Sequence, residues 1–292
     1  MRALTALALV LCLAAPVPIG AWGFDIHRFI VQEAILLLPD AIRPFYDKYR
    51  TVVIEHSIDP DLWRSAGFEE ETPRHFVDLD AFGPPPFDAL PRDHDAAVKK
   101  FGKEMVEKNG LLPWRAAEMY GQLVRAFQRL AQGQPYAYDD IKFFSAVLAH
   151  YVSDAHVPFH AIMNYDGQLT NQRGIHGRFE SELFLRYRPQ LSIMPAARAP
   201  IRNVRDFIFD TLVESAGLTG QILQADRKAV SGRDTYDDAY FDSLFGAVKP
   251  TLERRLRDSA SAVAAVITGA WEEAGKPALP LDPPRTVRKV GR

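Results

Sequence analysis

The sequence predicts an all-α chain, and three observations carry that expectation. Apolar residues recur at three- and four-residue spacing through residues 93–108, 112–132 and 139–155, and again through 203–230 and 236–273. Only one short piece, HFVD at residues 75–78, alternates, and a single short strand does not make a sheet. Proline and glycine are scattered, so no linker divides the 292 residues into separate units.

Taken in order, residues 1–21 are expected to be a cleavable secretory signal peptide. They carry Arg2, an apolar run broken by Pro16 and Pro18, and the small Ala21. The run is too short and too broken to span a bilayer well, and no later stretch is apolar enough. A soluble, exported protein, secreted or periplasmic, is therefore expected, with its domain over residues 22–275. Cys12 is the only cysteine and falls inside the signal, so the exported chain has none for a disulfide. Arg2 would leave with it, and 34 of the 35 basic residues then face 37 acidic ones. That balance excludes a global basic field of the ordinary DNA-binding kind. It leaves room for an enzyme whose phosphate affinity comes from bound metal ions.

Cleavage after Ala21 would give Trp22 a free amine, able to bind a metal beside its own carbonyl. His27 lies near the start of a helix predicted through Ile30, Ala34, Ile35 and Leu38. A second helix is expected over residues 40–53, followed by HSIDPDLWR, where Pro60 makes Asp61 a first-turn residue. A carboxylate at Asp61 and a guanidinium at Arg64 suit phosphoryl transfer, one holding metal or water and the other meeting charge on phosphate oxygens. Taken singly, the pair is also what a helix-start salt bridge gives, and Asp59 competes with Asp61 for the role. HFVD supplies His75, Phe76 and Asp78 ahead of a proline-rich surface loop, AFGPPPFDALP.

The segment HYVSDAHVPFH follows the apolar run FFSAVLA. His150 and Asp154, four apart, share one helix face, and Pro158 ends the helix before His160. An unpaired carboxylate on so apolar a helix would cost several kcal/mol, and a coordinated cation removes that cost. After a polar loop, GIHGRFESELFLRY restarts a helix with His176 and Glu180 four apart and Glu182 as a weaker competitor. The last two periodic stretches complete the helical core, and residues 276–292 form a proline-rich basic tail expected to be a poorly ordered end.

The candidate donors are Trp22, His27, Asp61, His75, His150, Asp154, His160, His176 and Glu180. Nine N and O donors without a thiolate suit more than one catalytic zinc, and three Zn²⁺ fit if Asp154 bridges two of them. Over nearly the whole exported chain these residues resemble the superfamily of zinc-dependent phospholipases C and secreted single-strand-specific nucleases. The resemblance rests on an N-terminal Trp followed by His27, on His150, Asp154 and His160 as H-x3-D-x5-H, and on the later pair His176 and Glu180. It implies an all-α phospholipase C / zinc nuclease fold and hydrolysis of phosphate esters by a zinc-activated hydroxide. It also implies three zinc sites: Trp22 with His27 and Asp61; His75 with His150 and Asp154; and His160 with His176 and Glu180. Asp154 would bridge the first two, and Asp61 would orient or deprotonate the attacking water.

Within the superfamily the nuclease branch is favoured, with single-stranded nucleic acid cleaved to 5′-nucleotides. The Trp22 to His27 spacing is nuclease-like, Arg64 matches the arginine that stabilises the transition state, and HFVD matches the motif whose Phe76 stacks a base and whose Asp78 hydrogen-bonds it. Glu180 in place of Asp, the short interval from His160 to His176 and the missing cysteines lean toward a phospholipase C acting on phospholipid head groups. A non-catalytic secreted zinc-binding protein is the third reading. No obligate protein partner is expected, and the chain is expected to be a monomer.

Overall fold

The computed structural model describes residues 23–134 and 136–282. The expected signal peptide, Trp22 and the last ten residues of the expected tail lie outside them. Among the described residues every regular element is helical, so the expected all-α, single-domain class holds.

The first four helices are α1 (Phe24–Leu36), α2 (Arg43–Lys48), α3 (Arg50–His56) and α4 (Asp59–Ser65). Pro44 and Pro60 sit in the first turns of α2 and α4, where a missing N–H costs nothing. The helix expected over 40–53 is thus two short ones meeting at Tyr49. The one expected over 93–108 is likewise split by Gly102, whose φ of 85° ends α5 (His94–Phe101) and begins α6 (Lys103–Lys108). Then come α7 (Leu112–Ala131) and α8 (Ala137–Asp154), which pack along one another. A short α9 (Ile175–Gly177) runs through a π-helical turn at Arg178–Glu182 into α10 (Leu183–Tyr187). Two long helices close the chain, α11 (Val204–Val230) and α12 (Asp238–Glu273), capped by the side chains of Asn203 and Asp237.

Two segments are buried on every side. In α12 each residue from 259 to 271 is buried, a run of small side chains that lets α1, α7, α8 and α11 approach closely. In α8 each residue from 145 to 154 is buried, and that run ends in His150, Ser153 and Asp154. Each large apolar side chain buried around these axes contributes about 1.5–3 kcal/mol, which is what holds polar groups at the end of α8 away from water. The fold therefore places ionisable groups in its own core. At the other end of the chain, Lys48 Nζ lies 2.5 Å from Asp282 and the Tyr49 hydroxyl donates to the Leu281 carbonyl at 2.9 Å, so the domain's contacts run past residue 275 to Asp282. No helix among the described residues is long and apolar enough to cross a membrane.

Candidate metal centre

Five pieces of chain converge on the C-terminal end of α8. The first turn of α1 delivers His27, and α4 delivers Asp61 and Arg64. A 3₁₀ turn at Glu69–His75 ends in His75, and a second at Pro158–His160 ends in His160. The π-helical turn and the residues before it present His176 and Glu180. Phe76 is extended, as HFVD suggested, but residues 76–78 pair with no strand. Val77 N donates to the His160 carbonyl at 2.9 Å and Asp78 N to the Asn109 carbonyl at 2.8 Å, which ties the two histidine-bearing turns together.

Asp154 is the hub. Its carboxylate lies 3.0 Å from His75 Nδ1, 3.3 Å from His150 Nε2, 3.5 Å from His27 Nε2 and 3.8 Å from His160 Nδ1. The rings of His27 and His150 stack with centroids 4.0 Å apart, and His160 and His176 meet edge to face at 5.0 Å. Imidazoles crowd in this way when they share a ligand. His27 Nδ1 and Nε2, Asp61 Oδ2, Asp154 Oδ1 and His160 Nδ1 are buried without a hydrogen bond, and both Glu180 oxygens lack one although His176 Nε2 is 2.9 Å away. Buried polar atoms left unpaired cost about 1–3 kcal/mol each, more when charged, and cations bound among them would remove that cost. The donor set fits metal ions.

Three groups of donors can hold them, each with ligand atoms within 4.8 Å of one another: His27, Asp61 and His150; His75, His150 and Asp154; and His160, His176 and Glu180. The third is the expected set. The second is also as expected, with Asp154 reaching His27 as a bridge would. In the first, Asp61 and His27 are together as expected and His150 stands with them, while Trp22 lies outside the described residues. The two competing carboxylates have other partners and join none of the three groups: Asp59 is bonded to His56 at 2.7 Å, and Glu182 pairs with Arg186 at 3.3 Å on the surface.

Electrostatics agree with ligation. Burial, with His150 adding to it, holds His27 far below the ordinary histidine range, and burial pushes His160 down to about 3. Both are therefore neutral and offer lone pairs. Burial would raise Asp154, but His150 and His160 outweigh it and hold the carboxylate well below its usual range. Burial raises Asp61 despite His150 and His75, and pushes Glu180 up to about 7 despite His176. The His150 ring is fixed from behind, with Nδ1 2.8 Å from the Ser57 carbonyl; Nδ1–H donating there leaves Nε2 for the cluster.

The cluster opens into a cavity of about 260 Å³ walled by Arg64, His75, His160, His176, Phe76 and Asp78, with Tyr165 and Phe159 beside them. Both expected substrate residues thus line the same space as the donors. Arg64 is bonded to Asp61 Oδ1 at 2.8 Å, leaving Asp61 Oδ2 turned inward. Asp78 Oδ1 is buried without a partner, and burial, with Asp80 adding to it, pushes its carboxyl up to about 7 from an ordinary 3.8. The folded state then holds the Asp78 proton to higher pH than the unfolded chain does. Stability conferred by that proton falls as pH rises from about 4 to about 7, by about 4 kcal/mol for a three-unit shift. Asp78→Asn should therefore raise the thermal midpoint at pH 8 and leave it unchanged at pH 4; an equal gain at both would mean the carboxyl does not titrate this way.

Sequence reasoning missed Tyr165, which sits in the polar loop after His160, and Glu71. The run EEE at residues 69–71 reads as a solvated acidic stretch, yet Glu71 is 2% exposed beside His75. No protein-family model matches this chain, and no curated protein matches it.

Proposed function

We propose that the protein is an exported zinc-dependent phosphodiesterase carrying three Zn²⁺, and that it cleaves single-stranded nucleic acid to 5′-nucleotides. The observation that supports this best is the composition of one cavity: three of the metal-donor histidines share its wall with a guanidinium, an aromatic ring and an unpaired carboxyl. One ion would be held by His160, His176 and Glu180 and another by His75, His150 and Asp154. A third would be held by His27 and Asp61, with the Trp22 amine released by cleavage after Ala21. Bound Zn²⁺ would supply Lewis acidity toward a phosphoryl oxygen and acidify water to near neutrality.

The remaining chemistry belongs to the side chains. Asp61 is oriented through Oδ1 by Arg64, and its Oδ2, facing the cluster, positions the attacking water and takes its proton. Arg64 is partly exposed on the cavity wall, where its guanidinium meets the negative charge that grows on the phosphoryl oxygens. Phe76 and Tyr165 offer flat faces for a base, and Asp78 Oδ1 accepts from its ring or amino N–H. Asp61→Asn should lower kcat by ~10²–10⁴ while zinc stays bound. Unchanged turnover would remove Asp61 from the reaction.

The phospholipid reading draws on a different observation, the exposed Met163, Tyr165 and Leu169 in the loop beside the cavity. Parallel hydrolysis assays of the zinc-loaded protein on a single-stranded oligonucleotide and on phosphatidylcholine separate the two. Release of 5′-nucleotides supports the nuclease and release of phosphocholine alone replaces it. Silence on both with zinc bound favours the non-catalytic protein.

A further inference from the structure

We infer that Glu71 is a positioning residue that fixes the tautomer of His75 and thereby sets the metal affinity of the His75, His150 and Asp154 group. The inference rests on the reading of that group as a metal site.

The His75 ring has two distinct sides. Its Nδ1 faces inward, 3.0 Å from Asp154 Oδ2 and 3.1 Å from His150 Nε2. Its Nε2 faces outward, buried and without a hydrogen bond, 3.7 Å from Glu71 Oε1. A neutral imidazole carries one proton, and whichever nitrogen holds it cannot donate a lone pair to a metal. For Nδ1 to face the cluster with its lone pair, the proton must sit on Nε2, and Glu71 Oε1, 3.7 Å away, is the acceptor that a small rotation of the ring would bring within hydrogen-bond distance.

The carboxylate is itself held on all sides. Arg74 donates to Oε2 at 2.7 Å, and the Tyr151 hydroxyl donates to Oε1. That hydroxyl oxygen accepts from Arg115 Nε at 3.2 Å. Both Glu71 oxygens are therefore fixed as acceptors, and Oε1 keeps a lone pair for a second donor. Tyr151 follows His150 on α8, so the network ties the outer face of His75 to the helix that bears the other two donors. The Ser57 carbonyl does the same for His150 from the opposite side. Partners of this kind orient a ligating histidine and raise its basicity, and losing one typically costs 10–100-fold in metal affinity.

The test uses full-length protein with two readouts, histidine ¹⁵N spectra of the zinc-loaded form for the tautomer and, starting from stripped protein, Zn²⁺ competition against a chromogenic chelator for affinity. Zinc-loaded wild-type His75 should be protonated at Nε2. In Glu71→Gln one oxygen acceptor is replaced by a donor, so the Nε2–H signal should lose the shift of a hydrogen bond to a carboxylate. One Zn²⁺ equivalent should weaken about 10–100-fold while the others titrate as before. Glu70→Gln, at the exposed neighbouring position, should change neither. An Nδ1-protonated wild-type ring overturns the inference without any variant. So does a Glu71→Gln protein whose equivalents match wild type, or one in which all weaken together with a lower thermal midpoint, the mark of a purely structural carboxylate. Wild-type protein that takes up no Zn²⁺ refutes the metal centre itself.

Discussion

Asp154→Asn should abolish metal uptake at two of the three donor groups and lower phosphodiester hydrolysis by at least ~10³-fold. Asp154 is the one carboxylate within 4 Å of four imidazoles, those of His27, His75, His150 and His160. Asparagine keeps the shape and removes the charge, so two cations would sit among neutral rings with little to offset them. Loss of several kcal/mol of charge stabilisation corresponds to that fall in rate. The metal-free fold should be weakened but keep its shape, because asparagine fills the same space while His75 and His150 lose a charged partner. Wild-type protein should gain about 2.7 kcal/mol of stability per occupied site at a Zn²⁺ concentration a hundred times the Kd, and Asp154→Asn should gain only the single-site amount that the His160, His176 and Glu180 group supplies. Thermal unfolding with and without Zn²⁺ reads this directly. Equal zinc-dependent stabilisation of the two proteins would mean that Asp154 holds no metal.

Gly110→Ala should be strongly damaging although it lies outside the donor set. Gly110 has a φ of 104°, a backbone conformation that costs other residues about 1–3 kcal/mol. A methyl group there would also run into the Phe76 carbonyl and Val77 Cα, far inside van der Waals contact. The neighbouring backbone cradles the site: Leu112 N donates to the Phe76 carbonyl at 3.3 Å, Asp78 N to the Asn109 carbonyl at 2.8 Å, and Leu111 N to the Pro73 carbonyl at 2.6 Å. Pushing Phe76 away weakens these bonds at about 1 kcal/mol each and displaces His75, Phe76 and Asp78 together. A loss of about 3 kcal/mol, on the order of 10 °C in thermal midpoint, should accompany a raised KM for oligonucleotides. Gly102→Ala is the control, since Gly102 also has positive φ but nothing within 4 Å of the added methyl, and only the strain should appear. If both variants lose the same stability, the close approach to Phe76 is unimportant.

What could be read from the sequence was local. His150 and Asp154 declared themselves through four-residue spacing on an apolar helix, and Pro158 placed His160 just past its end. The all-α class followed from the three- and four-residue apolar spacing of the long helices, which persists although stretches of α8 and α12 are buried on every face. The breaks at Tyr49 and Gly102 were not legible, since apolar spacing continues across them and only tertiary packing decides where the axis turns. Spacing left Asp59 as a competitor to Asp61; in the fold Asp59 pairs with His56, whereas Asp61 stands in a donor group with His27 and His150. Glu71 was hidden for the opposite reason: its neighbours Glu69 and Glu70 are exposed, and only the packing of Tyr151, Arg74 and His75 buries it. The π-helical turn that carries Glu180 was likewise invisible, because four-residue spacing is compatible with both windings.

The most direct test is the metal content of the purified protein, counted by elemental analysis and located by anomalous scattering at the zinc edge. Three equivalents are expected, with peaks beside His160 and Glu180, beside His75 and His150, and beside His27 and Asp61. Protein that remains metal-free after incubation with Zn²⁺, with the buried donors instead satisfied by water, would contradict the metal centre and the phosphodiesterase built on it.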